Sequence, residues 1–322
     1  MPLSMTDQMT ALEATKRSGN ADAYHIIEGM LQTNQMLADM PVYEANDGTS
    51  HLTTVRTTQP SGTRRKYNEG IVSHASTTKN IRDLMEMLED YSVIDKNIVD
   101  HSSNKTGLIN TEIIAFLNGM GETQAEDLIY GDNGQDETQM NGLAVRRRVL
   151  NAENCVSAGG SGSDLTSIYI VGLGPQFVHL FHPKGRNDVG VKREDRGLQD
   201  WPIISGGVMK TMPAYVNFFS AHFGLAVRNE KALQRIANIE STISADTLIE
   251  IVLARMNKLP VGCQSVAIYA NSDMVTKIDK AAWSKSNAVF PKEDPWGNLV
   301  THVRRARVRQ VDAILNTEDA IA

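Results

Sequence analysis

Between Val42 and Gly70 the chain has almost nothing to bury. The stretch reads PVYEANDGTSHLTTVRTTQPSGTRRKYNEG from Pro41 onward, with turn residues at Asn46-Asp47-Gly48 and again at Gln59-Pro60-Ser61-Gly62. These turns bracket two short β segments, His51–Thr58 and Arg64–Tyr67, rich in Thr and Arg. A lone hairpin is marginal in water, and this one lacks the alternating apolar face that pins a strand pair to its own domain. Two readings follow: a mobile surface hairpin, or an arm that completes its contacts on a neighbouring copy of the same chain.

The rest of the chain is ordinary in composition. Its 322 residues, 41% hydrophobic and 22% charged, suffice for one large or two modest cores. Cys155 and Cys263 are far apart and no secretory leader precedes them, so free thiols in a reducing cytoplasm are expected. No apolar run approaches the roughly 18 residues of a membrane span, so no membrane partner is expected. A net charge of −6 argues against a protein whose main work is gripping nucleic acid. Basic clusters stand out locally at Arg64-Arg65-Lys66, Arg146-Arg147-Arg148, and Arg304-Arg305 with Arg307 and Arg309. Each is either a solvated or salt-bridged face, or a contact with acidic surface on other subunits or lightly with a polyanion.

Periodicity divides the chain. Ala23, Ile26, Ile27, Met30 and Leu31 recur at helical spacing after Asn20, and Pro41 closes that helix; Met1–Gly19 is a lead-in. Thr78–Ile94 fits strand or helix and is read as extended, ending near Asp95. Leu108–Tyr130 places Ile109, Ile113, Phe116, Leu117, Met120, Leu128 and Ile129 on one face and is stopped by Gly131, a rod of roughly 35 Å at about 1.5 Å per residue. Gly119 and Gly121 within it predict a bend or a close approach. Further on come strands at Ser167–Gly172, Ala214–Arg228 and Ser265–Ala270, a helix at Ser244–Met256, another starting at Asn271-Ser272-Asp273, and a closing strand over His302–Leu315 that returns near the rod. The class is α+β.

Catalytic chemistry finds no foothold in the sequence. Gly172 and Gly174 follow an apolar strand, but Phe177 replaces the third glycine of a dinucleotide fingerprint and Pro175 sits in the turn. His179, His182 and His222 have no cysteine or carboxylate at metal-ligand spacing. Gly160-Ser161-Gly162-Ser163 is a polar loop rather than a nucleophile elbow, and neither Glu194-Asp195 nor Glu126-Asp127 has the neighbours of an acid–base pair. No catalytic residue, cofactor site or metal site is assigned, and the expectation is a protein that is not an enzyme.

Taken in order, six segments carry a family resemblance: MLQTNQMLADMPVYEANDG, the loop HLTTVRTTQPSGTRRKYNEG, YSVIDKNIVDHSSN, the rod ending in AEDLIYGD, AGGSGSDLTSIYIVGLGP, and VRRARVRQVDAIL. Together they resemble the major capsid proteins of tailed bacteriophages, with the Hong Kong 97-type fold. The resemblance implies an N-terminal arm at 1–41, an extended loop at 42–80, a peripheral domain with the spine helix at 81–150, an axial domain at 151–291 and a C-terminal return at 292–322. It implies a structural subunit that self-assembles, through hexamers and pentamers, into the icosahedral shell around double-stranded DNA. Portal and scaffolding proteins would be further partners, packaged DNA a weak non-specific one, and the setting the virion, with the host cytoplasm during assembly. Inter-subunit contacts would fall to Arg64, Arg65, Lys66, Arg305, Arg307 and Arg309. The loop tip offers arginines, with Lys66 and Lys79 toward its base, so the lysine–asparagine cross-link of some relatives is not carried over. The chain starts almost directly with the arm, which points to a separate scaffold or none. An encapsulin-like compartment of the same fold and, less favoured, a nucleotide-dependent α+β enzyme hung on the Gly172–Pro175 turn are the alternatives.

Overall fold

A computed structural model describes residues 3–4, 35–185, 191–205, 207–283, 289–293 and 299–322. In chain order its elements are β1 (Leu3–Ser4), α1 (Gln35–Asp39), β2 (Val42–Glu44), β3 (Ser50–Thr58), β4 (Thr77–Leu84), β5 (Glu86–Asp95), α2 (Lys96–His101), α3 (Lys105–Tyr130), β6 (Cys155–Ser157), β7 (Leu165–Leu173) and β8 (Val178–His182). They continue with β9 (Lys192–Ser205), β10 (Val208–Val227), β11 (Leu233–Glu240), α4 (Ala245–Met256), β12 (Ser265–Ala270), α5 (Ser272–Trp283), β13 (Val289–Glu293), β14 (Leu299–Val303) and β15 (Ala306–Gln310). The helix expected between Asn20 and Pro41 lies outside the described residues except for its last turn, α1. The chain forms two compact units: Met1–Asn34, Met87–Ala125 and Asp188–His222 make one, and Gln35–Glu86, Glu126–Asn187 and Phe223–Ala322 the other.

In the first unit β9 and β10 form a long antiparallel ribbon, Val208 opposite Ser205 through Ser220 opposite Lys192, and β5 pairs with β10. Val93, Ala214 and Val216 are buried there with Tyr91, Trp201 and Met212 packed on them. Arg196 stacks over Phe218 at 4.7 Å and over Tyr91 at 5.2 Å, so its stem and guanidinium cover apolar surface. The long helix starts where Asn104 Oδ1 accepts the Gly107 N–H at 2.9 Å, a side-chain cap on an otherwise orphaned donor.

The second unit is built on β7, buried along its whole length. The strand reads LTSIYIVGL, a continuous run with no polar face to solvent, because β11 and β12 pair antiparallel on its two sides and both faces are covered. Ile168 and Ile170 face a cluster with Leu248, Val252 and Met256 of α4 and Met274 and Ile278 of α5. The alternate residues Ser167 and Tyr169 face a polar network. Arg235 Nη2 meets Glu318 Oε2 at 3.0 Å, Arg235 Nε donates to Ser167 Oγ at 3.0 Å, and the Tyr130 hydroxyl donates to Glu318 Oε1 at 2.6 Å. Ser244 caps α4, its Oγ accepting the Thr247 N–H at 3.2 Å, and Asn271 Oδ1 does the same for Met274 at 2.9 Å.

Three expectations need correction. The closing strand is a hairpin: Arg304, at φ 52, turns the chain between β14 and β15, and alternation survives because Val303, Ala306 and Val308 all enter one core. Its last strand pairs in parallel with β12 rather than with the rod, although the Leu315 N–H does reach the Tyr130 hydroxyl at 2.9 Å. No close approach is made at Gly119 or Gly121, since an added Cβ at either would meet nothing within 4 Å among the described residues. The close approach is instead at Gly131, where a Cβ would lie 2.6 Å from the carbonyl oxygens of Asp127 and Met140.

Candidate functional site

The polar stretch is a β ribbon, but its second strand is not the expected one. β3 pairs antiparallel with β4, Ser50 opposite Leu84 through Thr58 opposite Thr77, and Arg64–Tyr67 belongs to a long irregular tip over 59–76. Cross-strand hydroxyl contacts replace the missing apolar face. Thr54 Oγ1 donates to Asn80 Oδ1 at 2.9 Å, and the Thr58 and Thr77 hydroxyls meet at 2.6 Å. That is why a Thr-rich sequence with no hydrophobic stripe still forms a ribbon.

Every residue of the tip is exposed. Tyr67 has an exposure of 101%, and Ile71 and Val72 are also well over half exposed. Arg64, Arg65 and Lys66 sit here: Arg65 Nη1 donates to the Glu69 carbonyl at 3.0 Å, the Lys66 N–H donates to Glu69 Oε2 at 2.9 Å, and Asn68 takes φ 66. This tight turn points basic and apolar side chains outward on one loop. Exposed aromatic and aliphatic side chains beside cations on one loop are the composition of a contact surface.

The root of the ribbon is buried and charged, which the sequence reading missed. Ser50, His51, Thr53, Asp83 and Glu86 are all nearly inaccessible. Arg146 Nη2 binds Asp83 Oδ1 at 2.8 Å and the Leu225 carbonyl at 2.7 Å. His51 packs on Phe181, whose ring also covers Gly224, its partner in the β8–β10 register; a Cβ there would lie 2.4 Å from the ring. Glu86 faces Asp127 of the long helix and accepts the Met140 N–H at 3.3 Å. Burial, with the neighbouring Asp127 carboxyl, pushes the Glu86 carboxyl up to about 8. Beside the root a groove of about 590 Å³ opens between β3 and the Arg228–Lys231 turn.

The other arginines are engaged within the chain. Arg147 Nη1 meets Glu230 Oε2 at 2.7 Å and Arg148 pairs with Asp132, so all three members of the 146–148 cluster have carboxylate partners, in line with the salt-bridged reading. Arg309 makes a two-pronged contact with Asp39, Nε to Oδ2 at 2.8 Å and Nη2 to Oδ1 at 3.0 Å, and Arg307 Nη1 lies 3.4 Å from the same carboxylate. Arg305 is in the turn before β15, its Nη2 at 3.4 Å from the Pro260 carbonyl.

Among the described residues no group of three or more metal-ligating side chains occurs, and no helix is long and apolar enough to cross a membrane. Both cysteines are free. Gly172 and Gly174 end a strand flanked by two antiparallel partners and lead into β8, with no helix to receive a phosphate.

The family model described as "Major capsid protein GP7" matches residues 18–322. Among solved structures, the chain is similar to that of bacteriophage Epsilon15, at 26% identity and a TM-score of 0.74 over 100% of this chain and 99% of that one. Weaker likenesses are to the bacteriophage JBD30 capsid, at 8% identity, TM-score 0.49, 95% of this chain and 98% of that one, and to the SrpI encapsulin complex of Synechococcus elongatus, at 12%, 0.46, 73% and 97%. No curated protein matches the chain.

Proposed function

The chain belongs to the major capsid protein GP7 family, with the Hong Kong 97-type fold, and from its place as a structural subunit of an icosahedral bacteriophage shell we propose that the ribbon 50–84 is the arm by which copies join. The observation that carries this is the tip: a stapled turn with Tyr67, Ile71, Val72, Arg64, Arg65 and Lys66 all open to solvent. Many weak contacts made together reach high avidity, so arms of this kind serve a shell of many copies better than one strong interface. Charge complementarity then sets register while the subunit stays soluble before assembly.

In this reading the segments implied by the resemblance keep their roles: 1–41 as N-terminal arm, 42–80 as extended loop, 81–150 with 292–322 as peripheral domain, and 151–291 as axial domain. Arg64, Arg65 and Lys66 meet acidic surface on a neighbour. Arg305 makes an inter-subunit contact, with Arg307 and Arg309 contributing through the edge that Asp39 braces. The protein works without catalysis, assembles in the host cytoplasm through hexamers and pentamers, and meets portal, scaffolding protein and packaged DNA. Deleting Gln59–Arg65 tests the arm. The expected product is a folded subunit that sediments as capsomers or smaller; closed shells from that deletant would sink the assignment.

A further inference from the structure

At the root of the arm two buried histidines and an arginine meet. His51 on β3 is 3% exposed and His179 on β8 is 1% exposed. Their rings stand edge to face with centroids 5.7 Å apart; Tyr43 of β2 packs against His179 at 5.1 Å and Phe181 against His51 at 5.1 Å. Arg228 Nη2 lies 2.8 Å from His51 Nε2, and its Nη1 donates to the Pro175 carbonyl at 2.9 Å.

A guanidinium nitrogen can only donate. The contact therefore makes His51 Nε2 an acceptor and the ring the neutral Nδ1–H tautomer. A second proton on that ring would remove the acceptor and press two cations together. Nδ1 of His51 and Nδ1 of His179 have no hydrogen-bond partner among the described residues, and the Gly174 backbone contact that favours a charged His179 ring is outweighed by burial, Arg228 and His51. Two charged groups face the pair from other elements. Arg228, after β10, opposes a charged ring, while Asp83 of β4, opposite His51 in register, favours it but has Oδ1 committed to Arg146. Burial outweighs Asp83: it is the largest cause, followed by Arg228, holding both rings below the ordinary histidine range, His179 at about 4.

We propose that His51, His179 and Arg228 form an acid-released latch, closed while both rings are neutral and opened by a proton on either, that fixes the arm's root on its own unit. The linkage runs in one direction. A base whose folded value is depressed stabilises the closed root fully above the free imidazole value, and that contribution is lost as pH falls below it. Opening takes up protons, so the open population rises by up to about tenfold per pH unit for each ring below about pH 6.5. The latch bears on assembly only through the arm reading, but it is measurable in the unassembled subunit.

The test follows the full-length subunit between about pH 7.5 and 4.5, across the histidine range, by two readouts. Hydrogen exchange at imidazole C2 reports the titration of each histidine, and backbone exchange over residues 50–58, corrected for intrinsic rate, reports opening of the root. Both rings are expected to titrate below the ordinary value, and root protection to fall at least tenfold toward the acid end. In His51→Gln, whose amide oxygen accepts from Arg228 without taking a proton, the slope with pH should fall; adding His179→Phe, which keeps the aromatic stack, should flatten it. Variant slopes equal to the wild-type slope, or wild-type protection that does not change with pH, would overturn the latch. Should the variants not fold, the wild-type readouts decide: either ring titrating at or above the ordinary value rejects the proposal. The tip deletant should show the same root behaviour, so a failed latch and a failed arm reading remain distinguishable.

Discussion

At the residue scale, one electrostatic tension is at Glu86. Its carboxyl is buried, faces Asp127 and is held up to about 8, far above the unfolded value. The folded state therefore binds more protons than the unfolded state between about pH 4.5 and 8, and stability is lost as pH rises through that window. Glu86→Gln keeps a group that can accept the Met140 N–H and removes the titration. The variant should gain on wild type with rising pH, on the order of 2–4 kcal/mol by pH 9. Urea unfolding at pH 5 and pH 9 measures it, and an unchanged difference at the two pH values would contradict the assignment. The sequence signals Glu86 and His51 weakly, because their burial depends on residues about forty to more than a hundred positions away.

At the scale of elements, the long helix is the part most legible from its letters. Apolar spacing and Gly131 place it to within a few residues of Lys105–Tyr130, since both its periodicity and its stop are local properties. The glycines divide differently. Gly131 is required by two carbonyl oxygens, so Gly131→Ala should destabilise the subunit by about 1–3 kcal/mol. Gly119→Ala, in open space, should stabilise the isolated subunit by up to about 1 kcal/mol through helix propensity. The shift in denaturation midpoint at constant slope separates them, and equal shifts would count against the packing argument. The ribbon was legible only in its first strand. Arg64–Tyr67 has strand-like composition, yet Thr77–Leu84 wins because its register brings Asn80 opposite Thr54 and Asp83 to Arg146.

At the scale of the whole molecule the basic tip should decide the state of association. Replacing Arg64, Arg65 and Lys66 together by Glu leaves every buried contact of the ribbon root in place, so the subunit should fold as before. Its sedimentation should shift from shells to capsomers or smaller, with the loss partly reversed at high salt, where repulsion between exposed charges is screened. Shell formation at wild-type level would remove electrostatics from the arm contact. The basic residues of the 146–148 cluster and Arg307 and Arg309 contrast with this tip. They read alike in sequence, but each has an intramolecular carboxylate.

The amino-acid sequence by itself determined the α+β class, the rod, the buried strands at β7 and β12, the polar projecting stretch and the family resemblance, since these rest on local periodicity, turn chemistry and the order of segments. Only the tertiary structure decided which strand completes the ribbon, which arginines meet carboxylates within the chain, and that two histidines and the Glu86 carboxyl are buried at the ribbon's root. Partner choice and burial are set by chain segments distant in sequence, and a charge is perturbed only once those segments have excluded water from it.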